Sequence, residues 1–328
     1  MLSILEKRTL IFLFLIYNIG MHIGPYSEIW DENIPETEQP DPTLKGLDLR
    51  SNTSILRTML DSQTKAIQSI EAALPALSSA ADAIVTKLSD PSSRLIHGGA
   101  GSSGLLAMQD AMELNPTFDW PLERQVFLMA GGDKARLTPI GPEEDNIRTV
   151  DDAVKDNNIC NKDVVIIVAA SGTTPFSVRL LKAANKVGAL TISIANNPDT
   201  ELLNLADHGI CLKSGPEIIA GSTRLAAGTA QKAALGMLSS LIMTRLGHVI
   251  DGFMVNMVAN NQKLYERASR IVASISQCSL EKATNALDET KGAIKPAILV
   301  CLGLNQADAK IMLEKTGGDL RHAMEGLV

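Results

Sequence analysis

Two short segments of the 328-residue sequence combine glycine with serine or threonine in a way that suits phosphate binding. The segments 98–104 and 170–175 each follow an apolar run typical of a buried strand and precede a pattern typical of a helix. At such a junction, unpaired backbone N–H groups and the positive end of the helix dipole favour an anion, and hydroxyl groups add donors. The candidate phosphate-binding residues are Gly101, Ser102, Ser103, Ser171, Gly172, Thr173 and Thr174.

Ordinary turn chemistry is the alternative for both segments, because tight turns between a strand and a helix use glycine for backbone reasons alone. Neither segment contains the G-x-x-x-x-G-K-[ST] pattern of nucleoside-triphosphate loops. Two hydroxyl-rich loops on one sheet therefore indicate a single compact phosphorylated metabolite.

The elements that carry these segments alternate between strand and helix. The predicted strands are 94–97, 125–129, 164–169, 189–195 and 209–212. The predicted helices are 51–72, 75–88, one ending near 113, one ending near 187, and 222–271 nearly throughout. Short connections between alternating strands and helices predict an α/β fold, in which helices flank a parallel sheet.

The composition excludes several classes of protein. The chain is 45% hydrophobic but only 3% aromatic, which suits helices packed on a parallel sheet better than a β-sandwich. A net charge of −7 argues against a nucleic-acid partner held by phosphate contacts. The four cysteines lie far apart without a C-x-x-C pair, so we predict neither a disulfide scaffold nor a zinc site.

The sequence divides into three predicted regions. Residues 1–36 form an N-terminal extension, in which basic residues precede an apolar run, 10–17, that imitates a signal peptide but is too short to span a bilayer. Met21 is an alternative start. Residues 37–272 form the sheet-containing domain with an N-terminal helical arm, and 273–328 form a small subdomain of two or three short helices. We expect a cytoplasmic protein without stable membrane insertion, and a signal or anchor is the alternative.

The glycine-rich segments belong to a longer resemblance. Segments 97–104 and 169–175 resemble the two phosphosugar loops of sugar-isomerase (SIS) domains. Matches from about residue 37 to 324 together resemble the N-acetylmuramic acid 6-phosphate etherases. The other matching segments are 110–113, 130–132, 143–145, 197–198, 215–224, 228–232 and 261–264. Glucokinase regulatory proteins share this architecture and many of the same loops, so they are the natural alternative.

The resemblance implies a SIS-type fold and a lyase that needs no metal or other cofactor. In the etherase family, the D-lactyl ether at C3 of N-acetylmuramic acid 6-phosphate is eliminated and water is then added, which gives N-acetylglucosamine 6-phosphate and D-lactate. Because SIS domains commonly pair to complete each other's sites, we also expect a homodimer. The alternative function is a catalytically weakened regulatory protein that binds a sugar phosphate.

The resemblance also implies roles for individual residues. Glu113 and Glu144 match the two catalytic glutamates of the family, and Glu217 and Lys263 match positions that border the substrate. Each has a structural alternative: a solvated surface carboxylate for Glu113, a helix start for Glu144, a helix cap for Glu217 and a solvated lysine for Lys263. His97, at the end of a predicted strand, is expected to be a satisfied structural residue, and a residue of the pocket is the alternative.

The chain departs from the family pattern at several polar positions. Leu105 and Thr173 stand where both loops of the family carry arginine, and Ala226 replaces a lysine. The family's acidic residues at two further positions are Gly141 and Asn256 here. Arginine pairs with a phosphate or carboxylate through a planar fork that leucine and threonine cannot copy, so we expect reduced activity or altered specificity.

Overall fold

The computed structural model describes residues 34–136 and 140–327. The signal-like run and the alternative start at Met21 lie outside the described residues.

The centre of the fold is a sheet of five parallel strands in the order β2-β1-β3-β4-β5. The strands are β1 (Leu95–Gly99), β2 (Gln125–Met129), β3 (Val164–Val168), β4 (Leu190–Ala195) and β5 (His208–Cys211). Every residue of β3 is buried, as expected of a central strand covered on both faces. The predicted α/β fold, in which helices flank a parallel sheet, is confirmed.

Fourteen α-helices lie within the described ranges. Those up to the end of the sheet region are α1 (Asn52–Gln68), α2 (Leu74–Leu88), α3 (Gly101–Met112), α4 (Leu114–Phe118), α5 (Gly141–Glu144), α6 (Arg148–Asp156), α7 (Pro175–Lys186), α8 (Glu201–Leu205) and α9 (Ala226–Arg245). The later ones are α10 (Gln262–Ser276), α11 (Leu280–Glu289), α12 (Ile294–Cys301), α13 (Gln306–Lys315) and α14 (Leu320–Glu325).

The helices cover the sheet in two layers, and the alternation of side chains along each strand separates two buried clusters. Val164 and Ile166 face the first cluster, which includes apolar residues of α1, α2, α3 and α9. Val165 and Ile167 face the second cluster, formed with α6, α7 and α8. The period of two along a strand therefore assigns neighbouring residues of β3 to opposite layers.

Strand β1 runs two residues beyond its predicted end, because its terminal glycines leave room for neighbouring elements. A methyl group on Gly98 would lie 2.4 Å from a methyl carbon of Leu180 in α7. A methyl group on Gly99 would lie 2.8 Å from the carbonyl oxygen of Val168. The glycines that we read as loop residues are thus the last two residues of the strand.

The predicted continuous helix over 222–271 is wrong. Helix α9 ends at Arg245, and an antiparallel hairpin of β6 (Val249–Ile250) and β7 (Phe253–Met254) precedes α10. Between the hairpin strands, Asp251 and Gly252 both have positive φ angles, of 48° and 80°. An Asp-Gly pair between apolar residues is a strong signal for a two-residue hairpin turn, and it was available in the sequence.

The C-terminal helices share a third buried cluster, which extends from Ile250 to Ala323. Among the described residues, four helices follow α10 in this region rather than the two or three that we predicted. Among the described residues no single helix is long and apolar enough to cross a membrane, and the one helix pair that passes the length and composition test together, α12 with α13, is bent by 116°.

A buried ion pair fastens the beginning of β1 to the beginning of β3. The Arg94 guanidinium donates to both carboxylate oxygens of Asp163, at 3.0 and 2.8 Å, and also to the carbonyl oxygen of Asn157 at 3.0 Å. Asp163 is almost completely buried and also accepts from the backbone N–H of Cys160. The bidentate geometry fixes the strand pair that carries both predicted loops.

We expect Asp163→Asn to lower the free energy of unfolding by about 3 kcal/mol, because it leaves the Arg94 guanidinium without its counter-ion in a half-buried position. Urea denaturation measures this change. The matched control is Glu314→Gln, which removes an exposed carboxylate 4.0 Å from Lys310. That substitution should cost less than about 0.5 kcal/mol. Equal effects of the two substitutions would contradict the role given to the Asp163 pair.

His97 lies in the middle of β1 and is buried, and its Nδ1 has no hydrogen-bond partner among the described residues. Its burial agrees with the structural role expected of it, but its Nδ1 is not satisfied as expected. Burial lowers the pKa of His97 to about 4. At a pH between the ordinary histidine pKa and about 4, the unfolded chain consequently binds a proton at His97 that the folded chain does not bind. The stability of the fold therefore falls as the pH falls through this range.

We expect His97→Leu to remove this part of the acid sensitivity. Between about pH 7 and about pH 5 the wild-type chain should lose about 2 kcal/mol through His97, and the variant should lose that much less. Urea denaturation at the two pH values measures the difference. His322→Gln, which changes an exposed side chain, is the control and should keep the wild-type dependence. An unchanged dependence in His97→Leu would show that this imidazole is protonated in the folded chain.

Candidate active site

The first loop is short because α3 begins almost directly after β1. A methyl group on Gly99 would lie 3.0 Å from the Cα of Gly104, so the strand end and the first turn of the helix touch through their backbones. Between them, Gly101 has a φ angle of +55°, which glycine adopts without strain. Ser102 and Ser103 occupy the first turn of α3, where backbone N–H groups have no partner within the helix.

The second loop connects β3 to α7 and gathers three hydroxyl-bearing residues. Ser171 Oγ accepts a hydrogen bond from the backbone N–H of Thr173 at 3.2 Å and lies 3.2 Å from Thr174 Oγ1. Gly172 has a φ angle of +71°, and a methyl group there would lie 2.3 Å from Thr200 Oγ1. Only glycine fits at this position, for reasons of both space and backbone conformation.

The sheet brings the two loops side by side. Strands β1 and β3 are hydrogen-bonded neighbours, and Gly99 is paired with Val168, so both loops begin at the same level of the carboxyl edge. In the sheet, β2 lies on one side of β1 and β3 lies on the other, so the order of the strands reverses its direction here. Such a topological switch point is the place where open α/β sheets bind ligands, at the carboxyl ends of the strands. Two helix N-termini and several hydroxyls thus converge on one place that suits a phosphate group.

Glu144 lies against the first loop. It ends the short helix α5, and a methyl group on Gly101 would lie 2.7 Å from Glu144 Oε1. The side chain is half-buried, and burial, followed by the nearby charge of Asp145, raises the pKa of Glu144. A glutamate with a raised pKa is a stronger base and retains a proton at higher pH, so this carboxyl group can act in proton transfer beside a bound phosphate ester.

Glu113 lies at the opposite end of the same helix. It directly follows Met112, the last residue of α3, and is separated from Gly101 by about 18 Å along the helix axis. Its side chain is exposed and makes no hydrogen bond or ion pair within the described residues. Within one chain, therefore, the two predicted catalytic glutamates do not meet, because a helix longer than a monosaccharide separates them.

Glu217 is a helix cap in this structure. Its two carboxylate oxygens accept from the backbone N–H groups of Ala226 and Ala227, at 2.8 and 2.9 Å, at the N-terminus of α9. The residue is completely buried, and burial raises the pKa of Glu217. This arrangement is the structural alternative that the sequence left open, and it leaves no exposed carboxylate oxygen for a substrate.

Lys263 lies in the first turn of α10, after the helix-capping residue Asn261. Its side chain is exposed and makes no hydrogen bond or ion pair with any residue that the structure describes.

A buried carboxyl group that the sequence did not single out lies one helical turn before Glu113. Asp110 is 6% exposed, its Oδ1 accepts from Ser239 Oγ at 3.2 Å, and its Oδ2 has no partner among the described residues. Burial raises the pKa of Asp110, and the charge of Glu113 adds to that increase. The available signal was an acidic residue on the buried face of an otherwise apolar helix.

Two family models match parts of this chain. The SIS domain model matches residues 146–241, and the model of the N-terminal SIS domain of glucokinase regulatory protein matches residues 76–185. A phosphoheptose isomerase from Francisella tularensis superposes with a TM-score of 0.43 at 18% identity, over 60% of this chain and 100% of that chain.

Sequence similarity to curated proteins extends over most of the chain. N-acetylmuramic acid 6-phosphate etherase from Deinococcus radiodurans is 42% identical over 289 residues, which are 88% of this chain and 94% of that protein. The etherase from Edwardsiella ictaluri is 38% identical over 290 residues, which are 88% of this chain and 96% of that protein. Together with the SIS-type sheet and its paired loops, this similarity means that the chain belongs to the N-acetylmuramic acid 6-phosphate etherase family.

Proposed function

We propose that this protein cleaves the D-lactyl ether of N-acetylmuramic acid 6-phosphate and releases N-acetylglucosamine 6-phosphate and D-lactate. The observation that carries the proposal is the pairing of two hydroxyl-lined loops at one sheet edge, with the half-buried carboxyl group of Glu144 against the first of them. Membership of the etherase family supplies the substrate class. We infer a cytoplasmic location, because the four cysteines are free and well separated.

Ser102, Ser103, Ser171 and Thr174, together with the backbone N–H groups of both loops, would hold the phosphate of the sugar. These are the donors available at two adjacent helix N-termini. The arginine positions of the family are occupied by Leu105 and Thr173, so the backbone and hydroxyl donors carry a larger share of the binding here. We therefore expect weaker substrate binding than in relatives that keep both arginines.

The reaction follows from the acidity of the C2 proton in the open-chain sugar, whose C1 aldehyde stabilises the negative charge that forms at C2. The Glu144 carboxylate takes the C2 proton while the C3–oxygen bond breaks, and Glu113 donates a proton to the departing lactyl oxygen. The product at this stage is a 2,3-unsaturated aldehyde. Glu113, now a carboxylate, takes a proton from water as its oxygen adds to C3, and Glu144 returns a proton to C2. The net change is one water consumed and one lactate released.

This chemistry needs both glutamates at one sugar, and one chain does not provide that. Because about 18 Å of α3 separates Gly101 from Glu113, we infer that each site combines the loops and Glu144 of one subunit with Glu113 of the partner subunit. The exposed Lys263 fits the same scheme, as a cation available to the phosphosugar in the neighbouring subunit. The homodimer expected from the sequence is thus part of the proposal for the active site.

Exposed apolar side chains on α1 and α9, and one beside Glu113, support the proposed dimer. Leu56, Leu60 and Ile67 recur on one face of α1, and each is about half exposed or more. Met237 on α9 and Met112 beside Glu113 are also exposed, at 46% and 60%. Large apolar side chains on neighbouring elements suit a surface that a second copy covers.

The regulatory alternative is less favoured. The match to the regulatory protein's SIS domain covers residues 76–185 only, whereas etherases match 88% of the chain.

We expect the purified protein to release one D-lactate and one N-acetylglucosamine 6-phosphate from each N-acetylmuramic acid 6-phosphate. In water labelled with oxygen-18 and deuterium, the label should enter the C3 hydroxyl and C2 of the amino sugar, while the lactate oxygen stays unlabelled. Mass spectrometry of both products measures this. Thermal stabilisation by the substrate without any lactate release would overturn the etherase function and favour the regulatory one.

We expect Glu113→Gln and Glu144→Gln each to lower lactate release at least about 100-fold, because each removes a group that transfers a proton. Dimers that combine one chain of each variant have one intact site of two, so they should recover about half of the wild-type activity. Co-expression with two different affinity tags, followed by purification on both tags in turn, isolates these mixed dimers.

The control replaces one partner with the double variant Glu113→Gln/Glu144→Gln, which cannot form an intact site with Glu113→Gln. Mixed dimers without recovered activity, or a monomer by light scattering at micromolar concentration, would contradict the shared site.

A further inference from the structure

A one-turn helix at Glu36–Glu38, ahead of α1, holds a completely buried threonine whose polar atoms all have partners. The backbone N–H of Thr37 donates to Asn197 Oδ1 at 3.3 Å, and Thr37 Oγ1 accepts from Asn197 Nδ2 at 3.0 Å. The carbonyl oxygen of Thr37 accepts from the backbone N–H of Gly221 at 3.1 Å. We call residues 34–38 the N-terminal strap.

The strap reaches the second phosphate loop through Asn197. Besides Thr37, Asn197 Nδ2 donates to the carbonyl oxygen of Ala170 at 2.9 Å, and the backbone N–H of Asn196 donates to the same oxygen at 3.0 Å. Ala170 directly precedes Ser171. Asn196 is itself held by Gln231 of α9, whose Nε2 donates to Asn196 Oδ1 at 2.8 Å. The base of the loop is therefore fixed by amides that the strap and α9 hold in place.

The strap also contacts the loop that leads into α9. Gly221 has a φ angle of +74°, and a methyl group there would lie 2.6 Å from Glu38 Oε2. The strap thus links two irregular segments: the one containing Ala170 and Ser171, which it reaches through Asn197, and the one containing Gly221.

We propose that Thr37, acting through Asn197, is a positioning residue for the second phosphate loop. The inference rests on the proposed function, because it takes the phosphate of the sugar as the ligand of that loop. A loop with glycine at positive φ has many conformations open to it, whereas a phosphate site needs its donors held within a fraction of an ångström. The bonds from Asn197 and Asn196 to Ala170 supply that constraint from outside the loop.

The test compares Thr37→Val with Thr37→Ser in steady-state lactate release. Valine keeps the shape and removes the oxygen that Asn197 donates to, whereas serine keeps the oxygen. We expect KM to rise about tenfold in Thr37→Val with kcat nearly unchanged, because the loop holds the phosphate equally in the ground state and the transition state. Thr37→Ser should keep the wild-type KM. Thr43→Val, which removes an exposed hydroxyl bonded to Asp41 in the same region, is the control.

Hydrogen–deuterium exchange of peptides covering 169–175, without substrate, gives a readout independent of activity. Faster exchange at 169–175 in Thr37→Val than in the wild type, without that increase in Thr43→Val, supports the proposal. If this difference is found but the wild-type protein releases no lactate, the proposed reaction fails while the effect of the strap on the loop stands. If Thr37→Val does not fold, Asn197→Ser tests the same link, since serine reaches neither Thr37 nor Ala170. A lower melting temperature with unchanged KM and unchanged exchange at 169–175 would overturn the positioning role.

Discussion

The parallel pairing of β1 with β3 is the constraint on which the candidate site depends. Both strands end at the same level, and β1 leads almost at once into α3 whereas β3 leads through the second loop into α7, so two helix N-termini point to one edge of the sheet. An isolated glycine-rich turn would have one set of unpaired N–H groups, whereas this pairing provides two for the same anion. The Arg94–Asp163 pair at the other end of these strands fixes their register, and therefore the alignment of the loops.

Helix α3 is equally decisive, because it is rigid and carries different chemistry at its two ends. Its first turn belongs to a proposed phosphate-binding loop next to Glu144, and its end presents Glu113 to solvent beside the exposed side chain of Met112. A rigid helix cannot bring both ends to one sugar. The proposed dimer resolves this by letting one copy supply the loop end and the other supply Glu113, so the enzyme would need assembly in order to have a complete site.

Much of the fold could be predicted from the sequence, because parallel strands give nearly continuous apolar runs and glycine-rich turns mark their ends. The strand at Gln125–Met129 and the end of α2 at Leu88 are where the pattern predicts them. The prediction of one long helix was wrong at Asp251-Gly252, since the helical periodicity on both sides outweighed a two-residue turn signal.

For Glu217, composition could not distinguish a pocket residue from a cap, because that choice depends on the amides of Ala226 and Ala227 folding back onto it. The separation of Glu113 from Glu144 follows from helix length, but the contact of Glu144 with Gly101 depends on tertiary packing that spacing alone does not reveal.

The most direct measurement of the central claim is a crystal structure of the protein with N-acetylglucosamine 6-phosphate, the proposed product. The account predicts the phosphate between the two loops, with oxygens within about 3 Å of Ser102, Ser103, Ser171 or Thr174. C2 and C3 of the sugar should then lie between Glu144 of the same chain and Glu113 of the partner subunit. A phosphate bound away from the carboxyl edge of β1 and β3, or a sugar that neither glutamate approaches, would contradict it.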